Sequence, residues 1–250
     1  MKDNRNSLRD KTFLVTGASS GIGREISIHI ASNEGSLYIT GRNPENLHDT
    51  SSYFNSAHIK SFVGDLTRSE FIKDIVKDVL PLDGLVLCAG MIDYKPMKFL
   101  KEEQFSKIFM TNYFAPNMLL QELIKNKKIK NGASIVFISS ISAIDGGSPG
   151  LGAYSGSKAA LIATSKVWAL ELASNKIRVN VIAPGMVQTP MTDKSIKTLT
   201  KEALEIDQKK YPLGYGMPQD VAGSTIFLLS DSSKWMTGST LVLDGGFLRK

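Results

Sequence analysis

Tyr154 and Lys158 stand four residues apart in the run Tyr154-Ser155-Gly156-Ser157-Lys158. On a helix, that spacing puts both side chains on one face. An ammonium beside a phenol favours the phenolate, which lowers the tyrosine pKa from its reference of ~10 towards neutrality. A drop of ~3 units corresponds to ~4 kcal/mol of differential stabilisation, and a tyrosine so tuned can give or take a proton near pH 7. The same spacing recurs at Tyr94-Lys95-Pro96-Met97-Lys98. There the internal Pro96 argues against a continuous helix, and no serine-ended strand precedes it at short range, so Tyr94 and Lys98 read as a chance match. Such a strand does precede the first pair, as Ile135-Val136-Phe137-Ile138-Ser139-Ser140. A serine at the C-terminal end of a strand can hydrogen-bond a substrate oxygen. Capping or turning the chain is the competing role for it.

A second group of residues suits a nucleotide. The run Thr16-Gly17-Ala18-Ser19-Ser20-Gly21-Ile22-Gly23 follows a short apolar stretch and opens a helix-length segment. Glycines at such a turn let backbone approach a pyrophosphate, which the N-terminus of the next helix can stabilise. The spacing is Gly-x-x-x-Gly-x-Gly, and its placement between strand and helix carries more weight than the glycines themselves. After the second strand, an acid would hydrogen-bond the free 2′-hydroxyl of NAD. The chain instead reads Tyr38-Ile39-Thr40-Gly41-Arg42-Asn43, with no acid before Glu45. Arg42 can hold a 2′-phosphate through charge-assisted bonds, which points to NADP(H); a solvated loop arginine is the alternative.

These side chains need a scaffold that brings distant turns together. Short apolar runs at 12–16, 36–40, 59–63, 85–88, 134–139, 178–182 and 240–243 read as strands. Several show little polar alternation, as expected of a parallel sheet covered on both faces. Helix-length segments lie between them at about 22–32, 69–79, 101–125, 154–173 and 219–229. The alternation predicts an α/β fold, a Rossmann-type doubly wound parallel sheet, with residues 1–250 forming a single domain. The Lys-rich stretch 191–218 breaks the alternation, reads as helical around 200–210, and is placed to form a substrate lid.

The composition narrows the function classes. The chain has 250 residues, 42% of them hydrophobic, with 30 basic and 24 acidic residues and a formal net charge of +6. Its densest basic cluster, Lys125, Lys127, Lys128 and Lys130, has no interleaved aromatic and reads as a solvated helix end, not a nucleic-acid surface. The single cysteine, Cys88, sits in an apolar run and reads as a structural thiol. His29, His48 and His58 lack metal-ligand spacing, so no metal site is expected. The polar N-terminus and the lack of a long apolar run lead to the expectation of a cytoplasmic chain with no membrane partner.

Taken jointly and in order, Thr16–Gly23, Gly64-Asp65-Leu66, Asn112, Ser139-Ser140, Tyr154-x-x-x-Lys158, Pro184-Gly185-x-Val187-x-Thr189 and Asp244-Gly245-Gly246 are highly specific. With them the chain resembles the single-domain short-chain dehydrogenase/reductases over essentially its whole length. Within that family it is most similar to 3-oxoacyl-[acyl carrier protein] reductases. The resemblance implies that Tyr154 is the acid/base, that Lys158 lowers its pKa and bonds the nicotinamide ribose, and that Ser140 orients the carbonyl. It further implies that Asn112 holds a kinked helix and a proton-relay water, that Asp65 contacts adenine, and that Val187 and Thr189 meet the nicotinamide side. The implied cofactor set is Gly17, Ser19, Ser20, Gly21, Ile22, Gly23, Arg42, Asp65, Leu66, Ala89, Gly90, Asn112, Tyr154, Lys158, Pro184, Gly185, Val187 and Thr189.

Two departures stand out. The family's Asn-Asn-Ala-Gly is here Leu87-Cys88-Ala89-Gly90, which removes two amides that support the central strand but no proton-transfer group. One extra residue lies between Ser140 and Tyr154, absorbed by the loop 145–150, so Ser139 and Ser142 remain alternatives for the serine role. The function implied is hydride transfer between NADP(H) and a ketone or secondary alcohol, with a 3-oxoacyl thioester foremost. A sugar, steroid or other alcohol is a second reading, and a non-catalytic cofactor-binding regulator a third. The implied partners are the small substrate, an acyl carrier protein met by Lys125–Lys130 and Lys176, and further copies of the chain packed through two long helices near 102–125 and 154–173.

Overall fold

The computed structural model describes residues 6–54, 59–196 and 200–249, which leaves His58 and part of the expected lid outside the described residues. Seven parallel strands form one sheet: β1 (Thr12–Thr16), β2 (Ser36–Gly41), β3 (Ile59–Val63), β4 (Leu82–Leu87), β5 (Ile129–Ile138), β6 (Arg178–Pro184) and β7 (Thr240–Leu243). Their spatial order is β3-β2-β1-β4-β5-β6-β7. The chain therefore winds outward in one direction from β1 and in the other from β4. A doubly wound sheet opens a crevice at the carboxyl ends of its strands where the order reverses.

The helices are α1 (Gly21–Ser32), α2 (Pro44–Ser52), α3 (Ser69–Asp78), α4 (Glu102–Phe109), α5 (Ala115–Lys125), α6 (Ser142–Asp145), α7 (Gly152–Glu171), α8 (Pro190–Ile196), α9 (Lys201–Gln208) and α10 (Pro218–Leu229). One apolar layer packs α3, α5 and α7 on the sheet through Ile72, Ile75, Leu119, Leu123 and Leu161 against Leu14, Leu85 and Phe137. The opposite layer packs α1 and α10 through Ile26, Ile30, Val221 and Ile226 against Phe13, Val15, Val86 and Val136. Alternate residues of β1 and β4 thus serve the two layers, which is why these strands read as continuous apolar runs.

The expected helix 101–125 is two helices joined by a π-turn at Met110–Phe114, with buried Asn112 inside it. Pro116 stands in the first turn of α5. Proline has no amide hydrogen, so it cannot donate back to the carbonyl of residue 112, and a widened turn accommodates the gap. Helix α2 is absent from the sequence expectation, although Asn43-Pro44 is a helix-start signal. In the structure, Asn43 Oδ1 accepts from Asn46 N at 2.9 Å.

One buried hydroxyl joins the two central strands where the crevice begins. Thr16 Oγ1 accepts from Cys88 N at 3.0 Å and from Ala89 N at 3.1 Å. The side chains of Leu87 and Cys88 meanwhile pack on apolar neighbours of the two layers. The departure from Asn-Asn therefore places apolar groups in apolar surroundings. Thr16→Val keeps the shape but strips two backbone amides of their acceptor. It should lower unfolding free energy by about 2–3 kcal/mol in urea titrations, with Thr16→Ser recovering most of the loss.

Candidate active site

The crevice is a cavity of about 300 Å³ at the carboxyl ends of the central strands. It collects the whole expected cofactor set except Asn112: the Gly17–Gly23 turn, Arg42, Asp65, Leu66, Ala89, Gly90, Tyr154, Lys158, Pro184, Gly185, Val187 and Thr189 all line it, as does Ser140. Asn112 lies behind the wall, fully buried. Tyr94 and Lys98 do not line it. Tyr94 is about half exposed, and Lys98 Nζ sits over the Phe99 ring at 4.8 Å.

At one end stand Ser140, Tyr154 and Lys158. Ser140 Oγ accepts from Ser142 N at 3.2 Å, and its hydroxyl bears on the Tyr154 phenol in the direction that favours ionisation. The Ser139 hydroxyl is committed elsewhere, donating to Lys158 O at 2.8 Å. The geometry therefore pairs Ser140, not Ser139 or Ser142, with the tyrosine. Lys158 Nζ donates to Ile138 O at 2.8 Å and lies 6.0 Å from the Tyr154 ring centroid. Asn112 works at one remove: its Oδ1 accepts from Met91 N at 2.8 Å, and its Nδ2 donates to Met91 O at 2.9 Å and to Ser157 Oγ at 3.0 Å. Ser157 Oγ in turn donates to Tyr154 O at 2.7 Å, so the π-turn braces the helical turn that carries the tyrosine.

At the other end the backbone makes the cradle. Gly17 has φ +70°, and a Cβ there would lie 2.8 Å from Ala89 Cα. A Cβ on Gly23 would lie 2.3 Å from Gly17 O. Helix α1 begins with no side-chain cap and no acid in its first turn, and such an N-terminus favours an anion. Exposed Arg42 lines the crevice, and no carboxylate occupies the end of β2. The buried Thr40 hydroxyl at this end has no hydrogen-bond partner among the described residues. Asp65 Oδ1 accepts from Thr67 N and Thr67 Oγ1, both at 2.9 Å. Burial works against its ionisation, but these bonds with nearby Arg42 and Arg68 outweigh it and hold the carboxyl below its usual range. The residues thus fit a dinucleotide: a glycine turn for the pyrophosphate, a carboxylate for the base, and Lys158 with Tyr154 for the reactive end.

Three contributors lay outside the sequence expectation. Thr192 Oγ1 donates to Val187 O at 2.7 Å and accepts from Thr189 N at 2.9 Å, which folds the Val187–Thr189 turn onto the crevice. The threonine-rich turn around Pro190 was the available signal. Ser157 and the Ile138 carbonyl had none, since nothing in the sequence marks one helix serine or one backbone oxygen.

The electrostatics differ from expectation. Burial pushes the Tyr154 phenol up to about 12, with the Ser140 hydrogen bond opposing it, instead of a lysine drawing it towards neutrality. Burial also pushes Lys158 down to about 8 from 10.5. Cys88 is pushed up to about 12 by the same cause, with Lys158 opposing, which favours the protonated thiol at neutral pH.

The Lys158 displacement fixes a sign. Below pH 8 the fold must hold a buried ammonium. Between pH 8 and 10.5 the folded lysine is neutral while the unfolded one keeps its proton, so stability rises with pH across that window. Wild type should gain about 2–3 kcal/mol relative to Lys158→Met between pH 7 and pH 10 in urea unfolding. A constant difference between the two proteins would exclude a displaced lysine.

Comparison with known proteins agrees with this geometry. A family model described as Enoyl-(Acyl carrier protein) reductase matches residues 17–248. The 3-oxoacyl-[acyl-carrier-protein] reductase FabG of Rickettsia felis is 36% identical over 242 residues, covering 96% of this chain and 98% of that protein. The FabG of Thermotoga maritima is 36% identical over 253 residues, covering 96% and 99%. A crystal structure of a dehydrogenase/reductase from Sinorhizobium meliloti superposes with a TM-score of 0.89 at 29% identity, covering 97% of each chain. The strand order, the glycine cradle and the Ser140, Tyr154 and Lys158 grouping, together with these matches, make this chain a member of the short-chain dehydrogenase/reductase family of oxidoreductases.

Proposed function

We propose that the chain is an NADPH-dependent reductase of 3-oxoacyl thioesters, with Tyr154 as the proton donor. The carrying observation is that two hydroxyls, Ser140 and Tyr154, meet in the crevice while burial keeps the proton on the phenol. Carbonyl reduction needs a hydride at carbon and a proton at oxygen. The nicotinamide cofactor supplies the hydride when bound. Ser140 orients the carbonyl oxygen, and Tyr154 Oη gives up its proton to that oxygen as negative charge develops there. Lys158 stands behind the phenol as a cation that favours its loss of the proton. Asn112, through Ser157, keeps the tyrosine's helical turn in place. Gly17–Gly23, Asp65, Val187 and Thr189 hold the cofactor, and Arg42 takes the 2′-phosphate.

The same geometry bears on partners. Met91, Ala115 and Met191 give the crevice apolar surface that suits an acyl chain. The expected lid, 191–218, reaches the crevice at its described ends: Met191 and Thr192 line it, and Gly216 pairs with Val187. An acyl carrier protein would meet basic groups on the crevice side, of which Lys95, Lys98 and Lys101 follow β4. The cluster expected for that role lies elsewhere. Lys125, Lys127 and Lys128 precede β5, Lys130 lies at its start and Lys176 precedes β6, all at the opposite ends of the strands from the crevice, and Lys125 and Lys130 pair with Glu122 and Asp83. Further copies of the chain would cover the outer face of α4, α5 and α7, where Phe105, Met110, Phe114, Met118, Val167 and Leu170 are exposed. No helix among the described residues is long and apolar enough to cross a membrane.

Turnover of an acetoacetyl thioester with NADPH tests the chemistry. Tyr154→Phe should lose at least ~10²-fold in kcat while binding cofactor normally, and Tyr94→Phe should keep most activity. Reduction should fall as pH rises through the phenol's pKa, and oxidation of the product should rise through the same value. Profiles that move together would remove Tyr154 from the proton transfer. Arg42→Asp tests the cofactor. By calorimetric titration it should weaken NADPH at least ~10-fold more than NADH. A wild type that prefers NADH would sink the NADP assignment.

A further inference from the structure

We infer that Arg24 is a positioning residue that sets the chain's discrimination between NADPH and NADH from behind the cofactor crevice. The inference rests on the NADP reading above and adds a residue to it. The crevice end beside Arg42 has two walls. One is the Gly17–Gly23 turn, which presents Ser19 and Ser20. The other is the end of β2 and the start of α2, which presents Gly41 and Arg42. The walls are close: a Cβ on Gly41 would lie 3.0 Å from Ser19 Oγ.

Arg24, half-buried in the first turns of α1, joins these walls without lining the crevice. Its Nη2 donates to Ser19 O at 2.8 Å on the first wall and to Asn46 O at 3.0 Å on the second. Its Nε donates to Thr50 Oγ1 at 3.0 Å. The buried Thr50 hydroxyl lies 2.9 Å from both Ala18 O and Asn46 O, so it too reaches from α2 back to the glycine turn. A planar guanidinium that satisfies three acceptors in fixed directions is a rigid strut. It therefore fixes the separation of the two walls.

That separation matters differently to the two cofactors. A 2′-phosphate is large and charged, and it gains most when Arg42 from one wall and the Ser19–Ser20 turn from the other reach it together. A free 2′-hydroxyl offers little for both walls to grip. Loosening the strut should therefore cost NADPH affinity and leave NADH affinity nearly unchanged. A residue that merely supported the fold would weaken both cofactors alike.

The test is calorimetric titration of NADPH and NADH into the intact wild-type chain and three variants: Arg24→Ala, Arg24→Lys and Thr50→Val. In Arg24→Ala the NADPH-to-NADH affinity ratio should fall by about tenfold, the net worth of one charge-assisted hydrogen bond. Arg24→Lys keeps the positive charge but cannot span both walls, so its ratio should fall similarly. Thr50→Val removes the Nε acceptor with little change of volume, and its ratio should fall in the same direction by a smaller factor. It keeps the test in force if Arg24→Ala does not fold. Variants that weaken both cofactors equally, or an Arg24→Lys protein with the wild-type ratio, would overturn the strut. A wild type that binds NADH as tightly as NADPH overturns the NADP reading and the inference with it. A wild type that prefers NADPH, with variants that keep its ratio, overturns the inference alone.

Discussion

One hydroxyl and two amides, Thr16 Oγ1 with the N–H groups of Cys88 and Ala89, hold the place where the sheet divides. On one side of that line the chain winds towards β2 and β3, and on the other towards β5, β6 and β7. Helices leave β1 and β4 towards opposite faces, so no backbone crosses the gap between their ends. Everything that could touch a dinucleotide is arranged around that gap. The glycine turn leaves β1, Arg42 leaves β2, Asp65 leaves β3, Gly90 leaves β4, Ser140 follows β5, and Val187 follows β6. The parallel strands thus place residues far apart in sequence within one crevice.

The reactive end sets apolar packing against charge. Lys158 is buried, and its ammonium donates to one backbone carbonyl, that of Ile138. A cation so placed loses hydration that a single neutral acceptor does not replace, which is why its proton is held weakly. The same burial holds the Tyr154 proton strongly. Both effects favour the neutral forms, and a neutral phenol is the form that can donate. The protein tolerates a displaced lysine at the one place where a cation close to a phenol is useful, in keeping with the clustering of perturbed groups at functional sites.

The sheet was legible because buried parallel strands have few ways to look: short apolar runs ending at glycine, aspartate or serine. The crevice was legible for the same reason, since its residues sit where strands stop. What escaped was of two kinds. Helix α2 is short and polar, with only Leu47 and Thr50 buried, so hydrophobic periodicity is weak there. The hydrogen bonds that set each side chain, such as Ser157 to the Tyr154 carbonyl or Lys158 to the Ile138 carbonyl, involve backbone atoms that every residue possesses. The direction of the Tyr154 displacement was missed because spacing on a helix reports that a cation is near. It does not report how far the phenol is withdrawn from water, and here that partial burial is the larger effect.

The π-turn at Met110–Phe114 carries a consequence about length. An α-helix advances its side chains by about 100° per residue, and the widened turn accommodates one extra residue without rotating α5 about its axis. Delete any single residue between Phe109 and Ala115 and the turn can revert to ordinary α-helix, but only by giving up the buried site that Asn112 fills. Insert one, and Leu119, Leu120 and Leu123 rotate away from the sheet. The identities of several residues here could drift while the protein survives. Their number cannot, so the constraint on this stretch of the gene is one of reading length more than of spelling.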